Sequence, residues 1–366
     1  MEIAQRRKCS IPDEIIFEIF SWLPVKFLMR FKCVSKFCNS LISNPYFREI
    51  HQSHSVYRRH DKITKFLVFS EGDQENLYTK ELGQTTKASR FRVEKLDSAS
   101  STKSTYAKGL LCLWDPENLI QQAIILNPST RETRFLPYLS SVVDQENFVN
   151  RDYRCYCSLG FDSYKRRHKI LMTLVYDDGQ NKSTRNWIFT LGDESWREIK
   201  SNIPYIMPVF LGGGVHIDGI IYFFSRYHNS TFCIVAFNVR TEIFRIISSL
   251  WYDHPCGIHV HWAYCYMHYH LVKYEGKIAA VDSKSAHVWI LQSRPDKTEE
   301  YWVHKKLVLE NEKFRINGEN IVLFDMFKPS LILLCDLKKK WWRTIDREKD
   351  KIIGVYSCDE DSLYSL

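Results

Sequence analysis

The sequence lacks a long apolar run. No stretch of about 18 apolar residues occurs, and the nearest approach, residues 321–337, is interrupted by Asp325, Lys328 and Pro329. A transmembrane helix needs about 20 predominantly apolar residues, so no membrane span is expected. The N-terminal residues are polar and basic without an apolar segment, and a secretion signal is therefore not expected.

Motifs of common enzyme classes are also missing. The chain contains no Gly-x-Ser-x-Gly and no His-Glu-x-x-His, which mark serine hydrolases and zinc peptidases. The triplet Gly212-Gly213-Gly214 is followed by neither Lys-Ser/Thr nor a helical pattern, so it does not match a phosphate-binding loop. The sequence therefore predicts no catalytic residues and no cofactor, and the protein is expected not to be an enzyme.

The cysteines show no disulfide framework. There are 11 of them, an odd number, without paired spacings. This usage predicts reduced, mostly buried thiols in an intracellular protein, cytoplasmic, nuclear or both. Cys155 and Cys157 would share one face of a strand and are interpreted as buried packing residues.

The composition is that of a globular protein of more than one domain. The chain has 366 residues, of which 45% are hydrophobic and 26% charged, and this length favours two domains. Aromatic residues make up 14%, which favours β structure. The net charge of +8 is compatible with acidic partners but does not by itself indicate nucleic-acid binding.

The first fifty residues predict three short apolar helices. Ile15, Ile16, Ile19 and Leu23 follow the spacing of one helical face. Pro24 would end this helix and open a second one, and a third would end at Asn44-Pro45. Helices this few and short cannot bury all their apolar faces on one another, so the segment is expected to dock on the rest of the chain or on a partner.

These residues carry a family resemblance. Ile11-Pro12-Asp13-Glu14, Leu23-Pro24-Val25-Lys26, Arg30-Phe31-Lys32-Cys33-Val34-Ser35-Lys36 and Leu41-Ile42-Ser43-Asn44-Pro45-Tyr46-Phe47 resemble the F-box of plant F-box proteins over about 40 residues. Two positions depart from the usual pattern, because Ile11 replaces a leucine and Cys38 replaces a tryptophan.

The resemblance implies a surface for a Skp-type adaptor. The implied contacts or their immediate support are Ile11, Pro12, Ile15, Ile16, Ile19, Leu23, Pro24, Val25, Leu28, Phe31 and Val34. Lys26, Arg30, Lys32 and Lys36 cluster on the second and third helices. They form either a solvated face or, as the resemblance implies, a basic face that meets an acidic adaptor.

The rest of the chain has the texture of short strands. Apolar runs of strand length occur at 66–69, 109–113, 123–126, 169–176, 219–224, 233–237, 277–281, 287–291 and 330–335. No long amphipathic pattern follows residue 65, which indicates an all-β region. The predicted organisation is an F-box domain at 8–50, a linker at 51–64 and a β domain at 65–366, an α+β multidomain class.

One hairpin type recurs along the β region. An apolar strand, a polar turn and an aromatic-bearing strand occur at 125–135, 189–199, 236–246 and 334–345, with a degenerate copy at 291–303. Repeats of about 40 to 50 residues are typical of propeller blades and predict a β-propeller of about six blades. The turns Asn127-Pro-Ser-Thr-Arg-Glu and Asn238-Val-Arg-Thr-Glu also resemble the F-box-associated, kelch-like domains that follow plant F-boxes.

Residues 251–270 hold five histidines and two cysteines among aromatic residues. Zinc ligation is one interpretation, but alternating strand faces would separate His259, His261 and Cys265 from His268 and His270. No metal site is therefore predicted. A target-binding surface formed by Trp251, His259, His261, Trp262, Tyr264 and Tyr266 is the functional alternative to plain strand packing.

The resulting hypothesis is a non-catalytic substrate receptor of a Skp–cullin–F-box ubiquitin ligase. The adaptor, and through it a cullin, would bind the F-box, and an unknown target protein would bind the β domain, without membrane or nucleic-acid partners. The alternative is a propeller-type enzyme, or a carbohydrate- or nucleic-acid-binding β protein, with a helical accessory segment.

Overall fold

The computed structural model describes most of the helical region and the strands of the β region. The described residues are 11–58, 64–70, 73–81, 87–92, 102–116, 122–139, 152–177, 182–203, 207–208, 214–227, 231–247, 269–274, 276–282, 287–293, 300–306, 320–324, 331–336, 341–346 and 350–357. Helices occupy the part up to residue 58, and strands occupy the part from residue 64.

Four helices form the N-terminal domain: α1 Asp13–Ser21, α2 Val25–Lys32, α3 Lys36–Ser43 and α4 Pro45–Arg58. Prolines 12 and 24 immediately precede α1 and α2, with φ of −56° and −59°, which suits the entry to a helix. Ser35 caps α3 by accepting a hydrogen bond from the Cys38 amide at 3.1 Å. A small core forms between the four helices from Phe20, Val25, Leu28, Ile42 and Phe47.

The expectation of three helices was wrong by one. Asn44 and Pro45 end α3, as predicted, but they also begin α4. The Asn44 Oδ1 accepts hydrogen bonds from the amides of Tyr46 and Phe47 at 2.8 and 3.4 Å, and proline is favoured in the first turn because its missing N–H has no helical partner there. The helix runs to Arg58, into the range that we had assigned to a linker.

The β region contains 24 strands in the described residues. They are β1 Thr64–Ser70, β2 Asp73–Glu81, β3 Lys87–Arg92, β4 Lys103–Ala107, β5 Leu110–Trp114, β6 Ile124–Asn127, β7 Glu132–Phe135, β8 Asp152–Asp162, β9 Arg167–Asp177, β10 Lys182–Thr190, β11 Arg197–Ile199, β12 Met207–Pro208, β13 Val215–Ile217, β14 Ile220–Tyr227, β15 Thr231–Asn238, β16 Ile243–Ile247, β17 Tyr269–Tyr274, β18 Lys277–Asp282, β19 His287–Ser293, β20 Glu300–Lys306, β21 Asn320–Phe324, β22 Leu331–Asp336, β23 Trp341–Asp346 and β24 Asp350–Ser357. All nine strand predictions are confirmed.

The described strands form six antiparallel sheets. Their orders are β24-β1-β2-β3, β4-β5-β6-β7, β8-β9-β10-β11, β12-β14-β15-β16 with β13 also on β14, β17-β18-β19-β20, and β21-β22-β23. The first strands of successive sheets contact one another, since β4 touches β24 and β8, and β13 touches β8 and β17. Four-stranded sheets that follow one another through their first strands are typical of a β-propeller.

The first sheet joins distant parts of the chain. Strand β24 pairs antiparallel with β1, for example Phe66 with Val355 and Lys65 with Tyr356. One sheet thus combines strands from residues 64–92 and 350–357. Apolar runs alone do not specify this pairing, because they identify strands but not their partners.

The recurrent hairpin corresponds to the last two strands of a sheet. The four copies and the degenerate fifth are β6–β7, β10–β11, β15–β16, β22–β23 and β19–β20. In two of them an asparagine orders the turn, because Asn127 Oδ1 accepts from the amides of Ser129 and Thr130, and Asn238 Oδ1 from those of Arg240 and Thr241. Such side-chain turns tolerate left-handed backbone, and the repeat therefore has a common local cause.

Glycine marks two-residue turns between the first two strands of a sheet. Lys108-Gly109 and Asp218-Gly219 have φ of 44°, 83° and 46°, 81°, the positive pair that a type I′ hairpin requires. Glycine is favoured at the second position because a side chain there would be strained.

Apolar residues of neighbouring sheets pack into the main cores. Between the second and third sheets, Cys112 and Cys157 lie with their sulfurs 3.4 Å apart, beside the buried Trp187. The thiols of Cys112, Cys155 and Cys157 are free and buried, and burial raises the pKa of Cys155 and Cys157. The interpretation of Cys155 and Cys157 as buried packing residues is confirmed.

Candidate protein-binding surface

The helical domain exposes an apolar patch. The side chains of Ile11, Ile15, Ile19, Phe31 and Val34, which we call the apolar patch, are all exposed, with Ile15 at 51%, Ile19 at 49% and Val34 at 69%. Other side chains of the same helices pack into the helical core. Large apolar side chains that remain in water cluster at binding surfaces more than elsewhere, so the patch is a candidate interface.

The eleven residues singled out from the sequence divide into exposed, half-buried and buried groups. Pro12 and Pro24 are exposed beside the apolar patch, and Ile16 and Leu23 are half-buried. Val25 and Leu28 are buried, at 3% and 0% exposure, in the helical core. These two can support the surface from beneath but cannot contact a partner directly.

Sequence reasoning missed four exposed aromatic residues. Trp22, Phe27, Phe37 and Tyr46 each expose more than a third of their area. Phe27 and Phe31 lie four residues apart on α2 and therefore share a face, which is a spacing that could have identified Phe27. Trp22 follows Ile15 and Ile19 by seven and three residues, so it continues the same helical face, and this spacing could have identified it.

Charge around the apolar patch is divided between the helices. Asp13, Glu14 and Glu18 are exposed on α1, whereas Lys26 and Arg30 are exposed on α2. An adaptor that covered the patch would meet acidic residues on one side and basic residues on the other. Charge placed in this way contributes more to orientation and association rate than to affinity.

Cys38 occupies the position where the family resemblance leads one to expect tryptophan. Its side chain is half-buried against the helical core, and its amide is capped by Ser35. The smaller residue therefore reduces apolar area at the edge of the core.

Helix α4 holds the corner between α1 and α2. The buried His51 lies 2.8 Å from the Leu23 carbonyl oxygen through its Nε2, and because a carbonyl can only accept, Nε2 is the donor. One turn further along, His54 stacks on the Trp22 ring with centroids 4.0 Å apart. Its Nδ1 lies 3.0 Å from the Ser21 hydroxyl.

A hairpin turn of the β domain contacts the helical domain. Arg166, between β8 and β9, forms a two-pronged ion pair with Glu49 of α4, at 2.7 and 2.8 Å. Tyr164 of the same turn stacks under the Arg240 guanidinium at 4.0 Å. Both members of the ion pair are about half exposed, so it contributes little to stability but marks the turn that faces α4.

The basic run 165–169, at the turn between β8 and β9, is only partly exposed. Lys169 is buried, and its Nζ donates to the Val239 carbonyl at 2.9 Å and to Glu242 Oε1 at 2.8 Å. Arg197 donates to the two oxygens of Glu242. This ion cluster joins the third and fourth sheets, so part of the run stabilises the fold.

Two histidines, the buried His168 and the half-buried His216, lie at the same end of the sheets. His168 Nε2 is 3.2 Å from the Ala107 carbonyl, and His216 Nε2 accepts from the amides of Phe161 and Gly219. Burial lowers the pKa of His168 to about 3 and the pKa of His216 to about 4. Both are neutral at physiological pH and join neighbouring sheets.

The predicted target-binding residues Trp251, His259, His261, Trp262, Tyr264 and Tyr266 lie outside the described residues. Strands β16 and β17 flank them in the chain. In the described fifth sheet, His287 Nδ1 and His304 Nε2 are 3.0 Å apart, and His304 stands 5.0 Å from the Trp289 ring. Within the part of the chain that the structure describes, no group of three or more histidine, cysteine or acidic side chains is arranged to hold a metal.

Membrane insertion through a helix finds no support in the described part of the chain. None of the helices there is both long and apolar enough to cross a membrane.

Comparisons with known proteins match both parts of the chain. A family model described as "F-box domain" matches residues 9–50, and one described as "F-box associated beta propeller domain" matches residues 53–351. A putative F-box protein of Arabidopsis thaliana is 25% identical over 92% of this chain and 85% of its own length. The F-box only protein 8 of the same plant is 27% identical over 64% of this chain and 78% of its own length.

Solved structures show only a loose likeness. TolB from Acinetobacter baumannii covers 88% of this chain and 73% of its own, with 8% identity and a TM-score of 0.43. A score this low supports no argument about fold or function.

Proposed function

Since the chain belongs to the plant F-box proteins that carry an F-box-associated β-propeller domain, we propose that it is the substrate-recognition subunit of a Skp–cullin–F-box ubiquitin ligase. The two domains and the related F-box proteins support a substrate-adaptor role. Proteins of this organisation are generally non-catalytic adaptors, and an F-box implies a Skp-type adaptor and a cullin.

The apolar patch is the single observation that carries the proposal. It lies on helices whose other face is already used by the helical core, and the side chains stay exposed in the free chain. Burying a whole isoleucine is worth about 1.5–3 kcal/mol. An adaptor that covered the patch would therefore gain from it without any rearrangement of the domain.

The β domain is proposed to hold the target protein. We assign its six sheets to six blades of a kelch-like propeller, and we assign target binding to loops that a rigid β scaffold presents. The segment with Trp251, His259, His261, Trp262, Tyr264 and Tyr266 remains our proposal for part of that surface. The ligase would act inside the cell, in the cytoplasm, the nucleus or both.

The mechanism is positional. Ubiquitin transfer belongs to the enzyme carried by the cullin, and this chain raises the local concentration of the target near it. The ion pair between Glu49 and Arg166 joins the adaptor-binding domain to the β domain near residue 166. The half-exposed pair adds little stability of its own, but it marks the turn of the β domain that lies next to the adaptor-binding domain.

The test is a variant of the corner between α1 and α2. Leu23→Ala combined with Pro24→Ala is expected to abolish co-purification with a Skp-type adaptor, because a few buried apolar anchors dominate most interfaces. The β domain should keep its cooperative thermal transition, since both residues lie in the helical domain. Undiminished pull-down of the adaptor by the double variant would contradict the assignment of this corner to the interface.

A further inference from the structure

Helix α4 lies across the boundary between the two family matches. The F-box match ends at residue 50, and the propeller match begins at residue 53. The side chains of His51 and His54 nevertheless contact the end of α1 and the corner that follows it. Their role is therefore assigned by neither family description.

His51 anchors one particular peptide group. Its Nε2 donates to the Leu23 carbonyl at 2.8 Å, and the imidazole is fully buried behind the corner. This carbonyl belongs to the last residue before Pro24, past the end of α1 and outside the helical hydrogen-bond ladder. Carbonyl groups beyond a helix C-terminus need a partner from elsewhere, and His51 provides it.

The anchored peptide determines the direction of α2. The Leu23 carbonyl lies in the plane of the Leu23–Pro24 peptide, and the proline ring holds φ at −59° as α2 begins. Few backbone rotations separate the anchored oxygen from the first turn of α2. Holding the oxygen therefore holds the angle between α1 and α2.

The apolar patch depends on that angle. Ile15 and Ile19 lie on α1, whereas Phe31 lies on α2 and Val34 follows it. A partner can contact both groups at once only if the helices keep their mutual orientation.

His54 secures the last turn of α1 in the same way. The Ser21 hydroxyl donates its one proton to the Glu18 carbonyl at 2.8 Å, so His54 Nδ1 is the donor in its 3.0 Å contact with Ser21. The imidazole also covers Trp22, whose Nε1 donates to Glu18. Both histidines of α4 thus hold the same corner from one side.

We propose that α4 belongs to the adaptor-binding unit and that His51 is a positioning residue, which fixes the α1–α2 angle through the Leu23 carbonyl. This inference rests on the proposed function, because it concerns the same adaptor surface. It adds a requirement outside the F-box match: residues beyond position 50 determine how tightly the adaptor binds.

The experiment measures the dissociation constant of the full chain for a recombinant Skp-type adaptor by calorimetry. His51→Leu keeps much of the volume but removes the donor, and is expected to weaken binding about tenfold, because it removes the hydrogen bond that holds the Leu23 carbonyl. His51→Gln places an amide donor at a similar reach and is expected to bind within about threefold of the wild type. His304→Leu, at an exposed histidine of the fifth sheet, is the matched control and should bind as the wild type does.

A second pair of variants separates positioning from stability. Ile42→Val weakens the helical core but leaves the His51–Leu23 bond, so it should lower the thermal midpoint of the helical domain while its affinity stays within about twofold. If His51→Leu loses its helical circular dichroism, the comparison passes to His51→Asn, whose amide is too short to reach Leu23. A folded His51→Asn should then weaken adaptor binding about tenfold, the loss expected for His51→Leu.

The outcomes distinguish the two proposals. A wild-type chain that does not bind the adaptor contradicts the proposed function itself. A wild type that binds, together with His51→Leu or a folded His51→Asn of equal affinity, overturns the positioning role alone. Equal losses of affinity in Ile42→Val and His51→Leu at matched stability would also overturn it, since they would indicate a purely structural effect.

Discussion

Truncating the apolar patch on α1 should separate binding from folding. We expect Ile15→Ala combined with Ile19→Ala to weaken adaptor binding roughly thirtyfold. The two side chains are 51% and 49% exposed in the free chain, so a partner can bury about half of each. At about 1.5–3 kcal/mol for a whole isoleucine, the two halves together are worth about 2 kcal/mol, and each 1.4 kcal/mol is tenfold in the dissociation constant.

The same substitutions should leave the helical domain folded. Alanine has a higher helix propensity than isoleucine, and the removed atoms are mainly those that water already contacts. Calorimetry or biolayer interferometry with a Skp-type adaptor gives the affinity, and helical circular dichroism gives the folded state. The matched control is Ile243→Ala, a 53% exposed isoleucine on β16, which should change neither quantity.

The outcome that refutes this reasoning is specific. A double variant with intact helical signal and an affinity within about twofold of the wild type would show that the patch is not the adaptor contact. A loss of affinity in the Ile243 control of the same size would show that the assay reports non-specific association.

Two further predictions concern the stability of the β domain, which is measured by denaturant unfolding. Burial alone would raise the pKa of Glu242, but hydrogen bonds from Lys169 and Arg197 hold the pKa below its ordinary 4.5. The stabilisation from these bonds is present above pH 4.5 and is lost as the pH falls further. Glu242→Gln should therefore lower the free energy of unfolding by about 2–3 kcal/mol at pH 7. The second prediction rests on the depressed pKa values of His168 and His216. Between pH 6.5 and about 4, only the unfolded state takes up protons on these two histidines. The free energy of unfolding should therefore fall as the pH drops, by at most roughly 3 kcal/mol per pH unit.

Each of these two predictions has its own control variant. Arg185→Gln, which breaks an exposed pair with Glu198 inside the third sheet, is the control for Glu242 and should cost less than about 1 kcal/mol. A Glu242→Gln loss no larger than that control would contradict the inter-sheet role. For the histidines, His168→Gln should reduce the acid slope by about one proton, and an unchanged slope would exclude His168 as its source.

Local signals were enough to predict much of the architecture. The apolar spacing of Ile15, Ile16 and Ile19 identified α1, and Pro24 identified the break before α2. The strands and the recurrent hairpin followed from short apolar runs and from the turns at Asn127 and Asn238, because each signal lies within a few residues of the feature it determines.

The remaining features depend on contacts between distant residues. Asn44-Pro45 stops one helix and starts another, and only the hydrogen bonds of Asn44 decide that both occur. The burial of Lys169 depends on Glu242 from another sheet. Val25 and Leu28 lie on the same short helix as Phe31, and periodicity alone did not decide which of them faces the core.

The pairing of β24 with β1 has a consequence during synthesis on the ribosome. The four helices are complete once residue 58 has emerged, whereas the first sheet waits for residues 350–357. Until then β1 has an unpaired edge, and open strand edges recruit other chains. A nascent chain therefore completes its helical domain, the proposed adaptor site, well before its β domain can close. If that proposal holds, a prematurely terminated chain that lacks β24 would compete for the adaptor without delivering a target.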